Sequence, residues 1–373
     1  MRGPIAVPRD DCTSRSHLAP PHRLIDMIYF SYIMIKQQIV NRVLAKSAQE
    51  IVMRRVGLAV LIGLLAAPMA KAQTTFPTKA ITMVVAFAPG GGTDTAARLI
   101  AKDLAAELGQ PIVIDNRAGA GGAIGALSVV RAAPDGHTLL FGTGSELDVL
   151  TAVKAKAPYD PLHDFEPISR IGSVSFLLAA TPSLKADSVG ELIALARTDP
   201  GKITFASFGI GSTNHLIGEA FSSRNGVQFV HVPYKGSAAA VADLLSGQVE
   251  IAFDTASVMI PYVRSGKLKA LASLSNQRLT LAPDLPTMME SGVPDFVFEG
   301  WLGVLAPRGT PAAVIDRLHT ALAKILKSPP LTAALTERGI GVVASSPAEF
   351  SAFMKADVER WKEITRTADI KVD

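Results

Sequence analysis

From Phe76 onward, short apolar or β-branched runs alternate with stretches whose apolar positions recur every three or four residues. The first pattern reads as strand and the second as amphipathic helix. Candidate strands are Ile81–Ala88, Ile112–Asn116, Thr138–Thr143, Ser175–Thr181, Ile203–Ser207, Phe229–Tyr234, Val249–Asp254, Leu268–Ser273 and Trp301–Ala306. Helical spacing falls on Thr95–Leu108, Gly122–Ala132, Val189–Thr198, His215–Asn225, Ala238–Ser246 and Ser257–Ser265. This alternation predicts an α/β fold with largely parallel sheets. The last third departs from it. Pro311–Lys327, Leu331–Arg338 and Pro347–Thr367 are three helical patterns with little strand between them, as expected of helices packing back on an earlier sheet.

One unit recurs weakly. VVAFAPGGGTDTAARLIAKDL (Val84–Leu104) and ITFASFGIGSTNHLIGEAF (Ile203–Phe221) are each a strand, a loop rich in Gly, Ser and Thr, and an amphipathic helix. Two such halves predict two similar α/β lobes. Ligands of open α/β sheets bind beyond the carboxyl ends of the strands, so two facing lobes would turn both loops into one cleft.

Composition changes the picture only at the N-terminus. The 373 residues are 48% hydrophobic and 19% charged, enough for two domains with full cores. The net charge of +4 would suggest an anionic polymer or a membrane surface as partner. However, MRRVGLAVLIGLLAAPMAKA (Met53–Ala72) has two arginines, a short apolar run and an Ala70-Lys71-Ala72 site, the plan of a secretory signal peptide. It predicts Sec export with cleavage near Ala72/Gln73 and a periplasmic location. Residues 1–52 then lie upstream of a signal, which predicts Met53 as the start, with 1–52 an over-extended or disordered segment. Removing residues 1–72 takes away ten of the 37 Lys/Arg and four of the 33 Asp/Glu, leaving 27 basic and 29 acidic residues and a net charge of −2. Nucleic-acid binding loses its support. The single cysteine, Cys12, also leaves, so the exported chain has no thiol chemistry.

The candidate chemistry sits in the loops. In FAPGGGTD (Phe87–Asp94), Phe87, Ala88, Gly90, Gly91, Gly92, Thr93 and Asp94 lead from a strand into a helix. The first N–H groups of a helix lack intrahelical partners, and its dipole favours negative charge there. Glycines let amides approach an anion closely. The same stretch also reads as a turn capped by Thr93 or Asp94. A P-loop would need a Lys and a Ser or Thr that are missing here, and Gly119–Gly125 does not fit the dinucleotide pattern. In the second loop, Ser207, Gly211, Ser212 and Thr213 offer amides and hydroxyls at another helix start, where Ser and Thr are also ordinary N-caps. Two such starts could each take one carboxylate. Thr143, Gly144 and Ser145 end a further strand and are placed at the floor of the same cleft. Asp254, at the tip of VEIAFD, could fix an ammonium or hydroxyl of a ligand or cap the next helix.

Catalytic and metal signals are weak. There is no G-x-S-x-G elbow, and His137, His163, His215, His231 and His319 lack ligand spacing. The expectation is no catalytic residue, no metal and no cofactor.

The ordered set FAPGGGTDTAARLIA, IVIDNRAGAGGAIGA (Ile112–Ala126), PDGHTLLFGT (Pro134–Thr143), PYDPLHDFEPISRIG (Pro158–Gly172), VHVPYKGSAAAVADLLSGQVEIAFD (Val230–Asp254) and GVLAPRGTP (Gly303–Pro311) strongly resembles the Bug-type solute receptors. These are the substrate-binding subunits of tripartite tricarboxylate transporters. The match runs over essentially the whole chain after the signal. The resemblance implies a type II periplasmic-binding-protein fold, two α/β lobes joined by two crossing strands with a ligand cleft between them. It puts the crossings near Ile168–Gly172 and Glu299–Gly303, lobe 1 at 73–172 plus 300–373, and lobe 2 at 173–299. It implies that Phe87–Asp94 holds ligand carboxylates through backbone and water, opposed by Ser207–Thr213 and Asp254. Glu146 and Asp148 depart from the uncharged pattern that similar receptors often carry after LLFGT. The resulting expectation is a monomeric periplasmic receptor that captures a small organic carboxylate, whether mono-, di- or tricarboxylate or acidic amino acid, for membrane permease subunits. A ligand sensor for a membrane signalling protein and, less favoured, a secreted enzyme are the alternatives.

Overall fold

The computed structural model describes residues 31–44, 46–47, 53–55, 76–153 and 157–367. The chain divides into two compact units, Met1–Gln73 and Thr74–Asp373. Within the first, 31–44 is helical with exposed side chains. The signal-peptide and cleavage expectations fall almost wholly outside the described residues.

The second unit carries a ten-stranded sheet in two groups. In the first group, β1 (Ile81–Val85) lies parallel to β2 (Ile112–Asn116) and β3 (Thr138–Thr143), and β3 pairs antiparallel with β9 (Glu299–Pro307). In the second, β5 (Thr204–Ser207) lies parallel to β6 (Val230–Pro233) and β7 (Ile251–Thr255). The strand β4 (Phe165–Ala180) belongs to both. It pairs with β9 from Phe165 to Ser175, and with β7 and β8 (Lys269–Ser273) beyond that. The short β10 (Ile340–Val342) lies on its other edge over Gly172–Val174.

The sequence pattern predicts only the second half of β4. In the first half the register slips at Pro167/Ser169 and again at Arg170/Gly172. Each bulge inserts a residue and breaks the period of two. Ile168 and Ile171 are therefore both fully buried although they are three apart.

Helices cover the sheet: α1 (Gly92–Leu108), α2 (Ala123–Val130), α3 (Leu150–Val153), α4 (Val189–Thr198), α5 (Thr213–Asn225), α6 (Ser237–Ser246), α7 (Ala256–Arg264), α8 (Ala312–Leu326), α9 (Pro329–Thr336) and α10 (Pro347–Thr367). As the sequence pattern requires, α8 returns to the first group, where Leu318, Leu322 and Ile325 pack with Ile100 and Leu104 of α1. With 21 residues, α10 is long enough to serve both groups. Phe350 and Met354 pack around Trp301, whereas Trp361 enters the core of the second group beside Phe298.

Candidate functional site

The β1–α1 and β5–α5 connections face one another across the two strand groups. The Ala88 amide donates to the Lys235 carbonyl (3.3 Å) and the Thr213 amide to Ser145 Oγ (3.2 Å). The Phe87 and Phe208 rings meet edge-on at 6.0 Å. A Cβ built on Gly92 would lie 3.0 Å from Ser257 Oγ and 3.1 Å from Thr255 Oγ1. A side chain there would require Ser257, Thr255 and Val258 to give by a few tenths of an ångström.

Two adjoining cavities open between these loops. The larger, with about 490 Å³ of space between its atoms, is lined by Gly92 and Thr93, by Thr143, Gly144 and Ser145, by Thr213 and Asn214, and by Thr255 and Ser257. Apolar walls come from Phe87, Phe208, Val174, Phe176, Trp301, Leu302 and Ile340. Among the described residues, no charged side chain lines it. The smaller, about 290 Å³, shares Phe87, Gly92, Thr93, Phe208 and Thr255 and adds Ala88, Gly91, Asp94, Ser237 and Asp254.

The two helix starts differ in their caps. Ser212 caps α5, accepting from the His215 amide, and the Thr213 amide is already bonded to Ser145. No side chain caps α1, whose N-cap is Gly91. Its first amides therefore remain available where they reach the cavity.

Asp94 is not a cap. Nearly buried, it accepts from the Gly90 amide (2.9 Å), Arg98 Nε (2.9 Å) and Asn116 Nδ2 (3.0 Å), and Asn116 also donates to the Phe87 carbonyl (3.0 Å). Burial alone would raise its pKa, but the bonds from Arg98, Gly90 and Asn116 outweigh it and hold the carboxyl below its usual range. Asp94 thus clamps the glycine loop as a carboxylate.

The β5–α5 loop is braced from beneath. Ser207 Oγ lies 2.6 Å from His231 Nε2, the Gly211 amide donates to His215 Nδ1 (3.3 Å), and the two imidazoles stack at 4.0 Å. Burial lowers both histidines to about 4, so they are neutral at ordinary pH.

Buried carboxyls stand behind the other walls. Asp254, 1% exposed, accepts from Ser237 Oγ (2.5 Å) and the Thr255 amide (2.6 Å). Burial pushes it up to about 7 against those bonds. Glu146, fully buried, accepts from the amide and hydroxyl of Thr143 (2.7 and 2.5 Å), and burial pushes it to about 7 as well. Asp148 accepts from Trp301 Nε1 (2.8 Å), and burial with neighbouring Asp357 raises it further.

Of the residues singled out from the sequence, Phe87, Gly92, Thr93, Thr143, Gly144, Ser145 and Thr213 line the larger cavity, and Ala88, Gly91, Asp94 and Asp254 the smaller. Gly90, Ser207, Gly211 and Ser212 line neither. They shape the loops through the bonds above. Sequence reasoning missed the crossing-strand walls, Phe208, Asn214, Thr255 and Ser257. The last two lie one and three residues after Asp254, and a strand tip opening a helix was signal enough to include them. It also left the second glycine cluster without a use. A Cβ on Gly121 (φ +65°) would meet the Ile210 carbonyl at 2.8 Å, so this cluster makes room for the facing loop. Among the described residues no His, Cys, Asp or Glu group is arranged to hold a metal, and no helix is long and apolar enough to cross a membrane.

Residues 96–370 match the family model described as tripartite tricarboxylate transporter family receptor. Protein BugT of Bordetella pertussis is 38% identical over 318 residues, 85% of this chain and 97% of that protein. Among solved structures, R. palustris Rpa4515 with adipate is 38% identical with a TM-score of 0.77, covering 79% of this chain and 99% of that one. MatC (Rpa3494) from Rhodopseudomonas palustris with bound malate is 33% identical with a TM-score of 0.75, over 78% and 99%. The α/β fold is thus that of the periplasmic binding proteins, and the chain belongs to the tripartite tricarboxylate transporter receptor family, among its Bug-type members.

Proposed function

We infer that the protein is a periplasmic receptor that captures a small organic carboxylate in the cleft between its two strand groups and delivers it to membrane permease subunits. The observation that carries this reading is the uncapped start of α1, opening into an uncharged cavity closed by a facing loop. Backbone amides at a helix start suit an anionic group, and two relatives carry bound adipate and bound malate. Capture rather than turnover fits a lining without a nucleophile paired to a base. The lobes are assigned as 73–172 plus 300–373 and 173–299, in keeping with β4 changing partners at Ser175/Phe176 and with β9 starting at Glu299. The chain acts as a monomer, exported by the Met53–Ala72 segment.

The test is calorimetric titration of protein freed of co-purified ligand by unfolding and refolding. A carboxylate should bind with one-to-one stoichiometry and raise the thermal midpoint by mass action. Failure of every mono-, di- and tricarboxylate to bind would refute the reading.

A further inference from the structure

A further cavity lies on the other face of the strands that join the two groups. Along β4 successive side chains point to opposite faces. Val174 lines the larger cleft cavity, whereas Ser173 beside it lines a space of about 790 Å³ between β4, β9 and α10. Its polar and aromatic walls are Arg170, Glu299, Phe353, Asp357 and Arg360, and Gly300 is the one lining residue it shares with the larger cleft cavity. Arg170 is the anomaly there. Its guanidinium lies 3.9 Å over the Phe353 ring, yet its Nε is buried without a hydrogen-bond partner. Among the described residues it forms no ion pair. Asp357 is taken instead by Arg360 Nε (2.9 Å) and Trp301 Nε1 (3.3 Å). Burial pulls the Arg170 pKa down despite the attraction of Asp357 and Glu299, and an arginine stays charged even so.

We propose that this cavity is a second binding site, separate from the cleft, for a small inorganic oxyanion of the phosphate or sulfate class, held by the Arg170 fork with Arg360 and Ser173 beside it. A charged donor buried without a partner is costly, and a guanidinium fork matches two oxygens of an oxyanion at once. Arg360 donates to Asp357 through Nε alone, so among the described residues its terminal nitrogens are free. The Ser173 hydroxyl, on the same wall, makes no hydrogen bond among the described residues either. A cavity of this volume is of small-ligand size. The two acids do not cancel the seat: Asp357 is already engaged, and Glu299 is exposed, where water and salt screen it. An anion held there would tie α10 to both β4 and β9. Since α10 packs on both strand groups, binding would stiffen the junction between them.

The experiment follows thermal melting of the purified protein as inorganic phosphate replaces chloride at constant pH and ionic strength. The midpoint should rise and approach the logarithmic dependence of a one-site ligand, whereas general salt exclusion acts without any particular arginine. Arg170→Gln should weaken phosphate at least about tenfold. Gly92→Val, altered in the cleft, should keep the wild-type response. A wild-type midpoint indifferent to phosphate overturns the site, and so does a response that survives Arg170→Gln undiminished. A response lost in Gly92→Val would put the anion in the cleft and overturn it as well. If Arg170→Gln does not fold, Ser173→Ala carries the same test: it should weaken phosphate about threefold or more, and unchanged affinity there overturns the assignment.

Discussion

Asp254 is the residue whose titration the fold disturbs in the most testable way. Its carboxyl is fully buried, with one oxygen on Ser237 and the other on the Thr255 amide. Its pKa moves from 3.8 to about 7 because burial disfavours the charged form. Between those values the folded chain keeps a proton that the unfolded chain has lost. Folding stability therefore falls as pH rises through that window and is level above it. At 1.36 kcal/mol per unit, the full window is worth about 4 kcal/mol, and the part between pH 5 and pH 8 about 3 kcal/mol. Asp254→Asn mimics the protonated form: its oxygen can accept from Thr255 and its NH₂ can donate to Ser237. The variant should gain on the wild type by about 3 kcal/mol over that range.

The wild-type curve alone is a poor readout. His215 and His231, lowered to about 4, bind protons preferentially in the unfolded chain between 4 and 6.5. They tilt stability the opposite way over nearly the same interval. The difference between variant and wild type isolates Asp254. Urea unfolding followed by tryptophan fluorescence is suitable, because both tryptophans, Trp301 and Trp361, are nearly fully buried. Parallel pH curves for the two proteins would refute the account of Asp254 as a proton-holding buried acid.

The remaining predictions concern the loops. Asp94→Ala removes the carboxylate shared by Gly90, Arg98 and Asn116, and should cost about 1–3 kcal/mol and weaken carboxylate binding; titration and urea unfolding would both register it. Gly92→Val places methyls against Ser257, Thr255 and Val258, so calorimetry should show affinity lowered about tenfold or more, with near-wild-type circular dichroism. His231→Gln removes one of the groups that oppose folding as pH falls from 6.5 towards 4, so its urea midpoint should gain on that of the wild type over this interval. Trp361→Ala, emptying a site in the core of the second strand group, should cost about 3–5 kcal/mol in the same unfolding assay.

What the chain order and its periodicity determined by themselves was the set of elements. Val189–Thr198 and Pro347–Thr367 are helices over the residues that helical spacing marks, and Ile112–Asn116 and Thr138–Thr143 are strands as the apolar runs require. Local patterns report local structure because a helix or strand buries one face wherever it packs. The glycine loop after β1 was legible for the same reason, as a strand-to-helix junction with no Cβ in the way. Tertiary structure decided everything that depends on two distant segments meeting. Periodicity hid the first half of β4, where only the family resemblance puts a crossing at Ile168–Gly172, because its bulges answer to β9 across more than a hundred residues of chain. Asp94 reads as a cap until Asn116 and Arg98 surround it. Two loops that look alike in sequence became one helix start without a side-chain cap and one capped by Ser212 and bonded to Ser145, because only in the folded chain does Ser145 reach Thr213. The apolar wall of Val174, Leu302 and Ile340 exists only where β10, β4 and β9 lie together. No periodicity along one strand records which side chains a neighbouring strand will bring beside it.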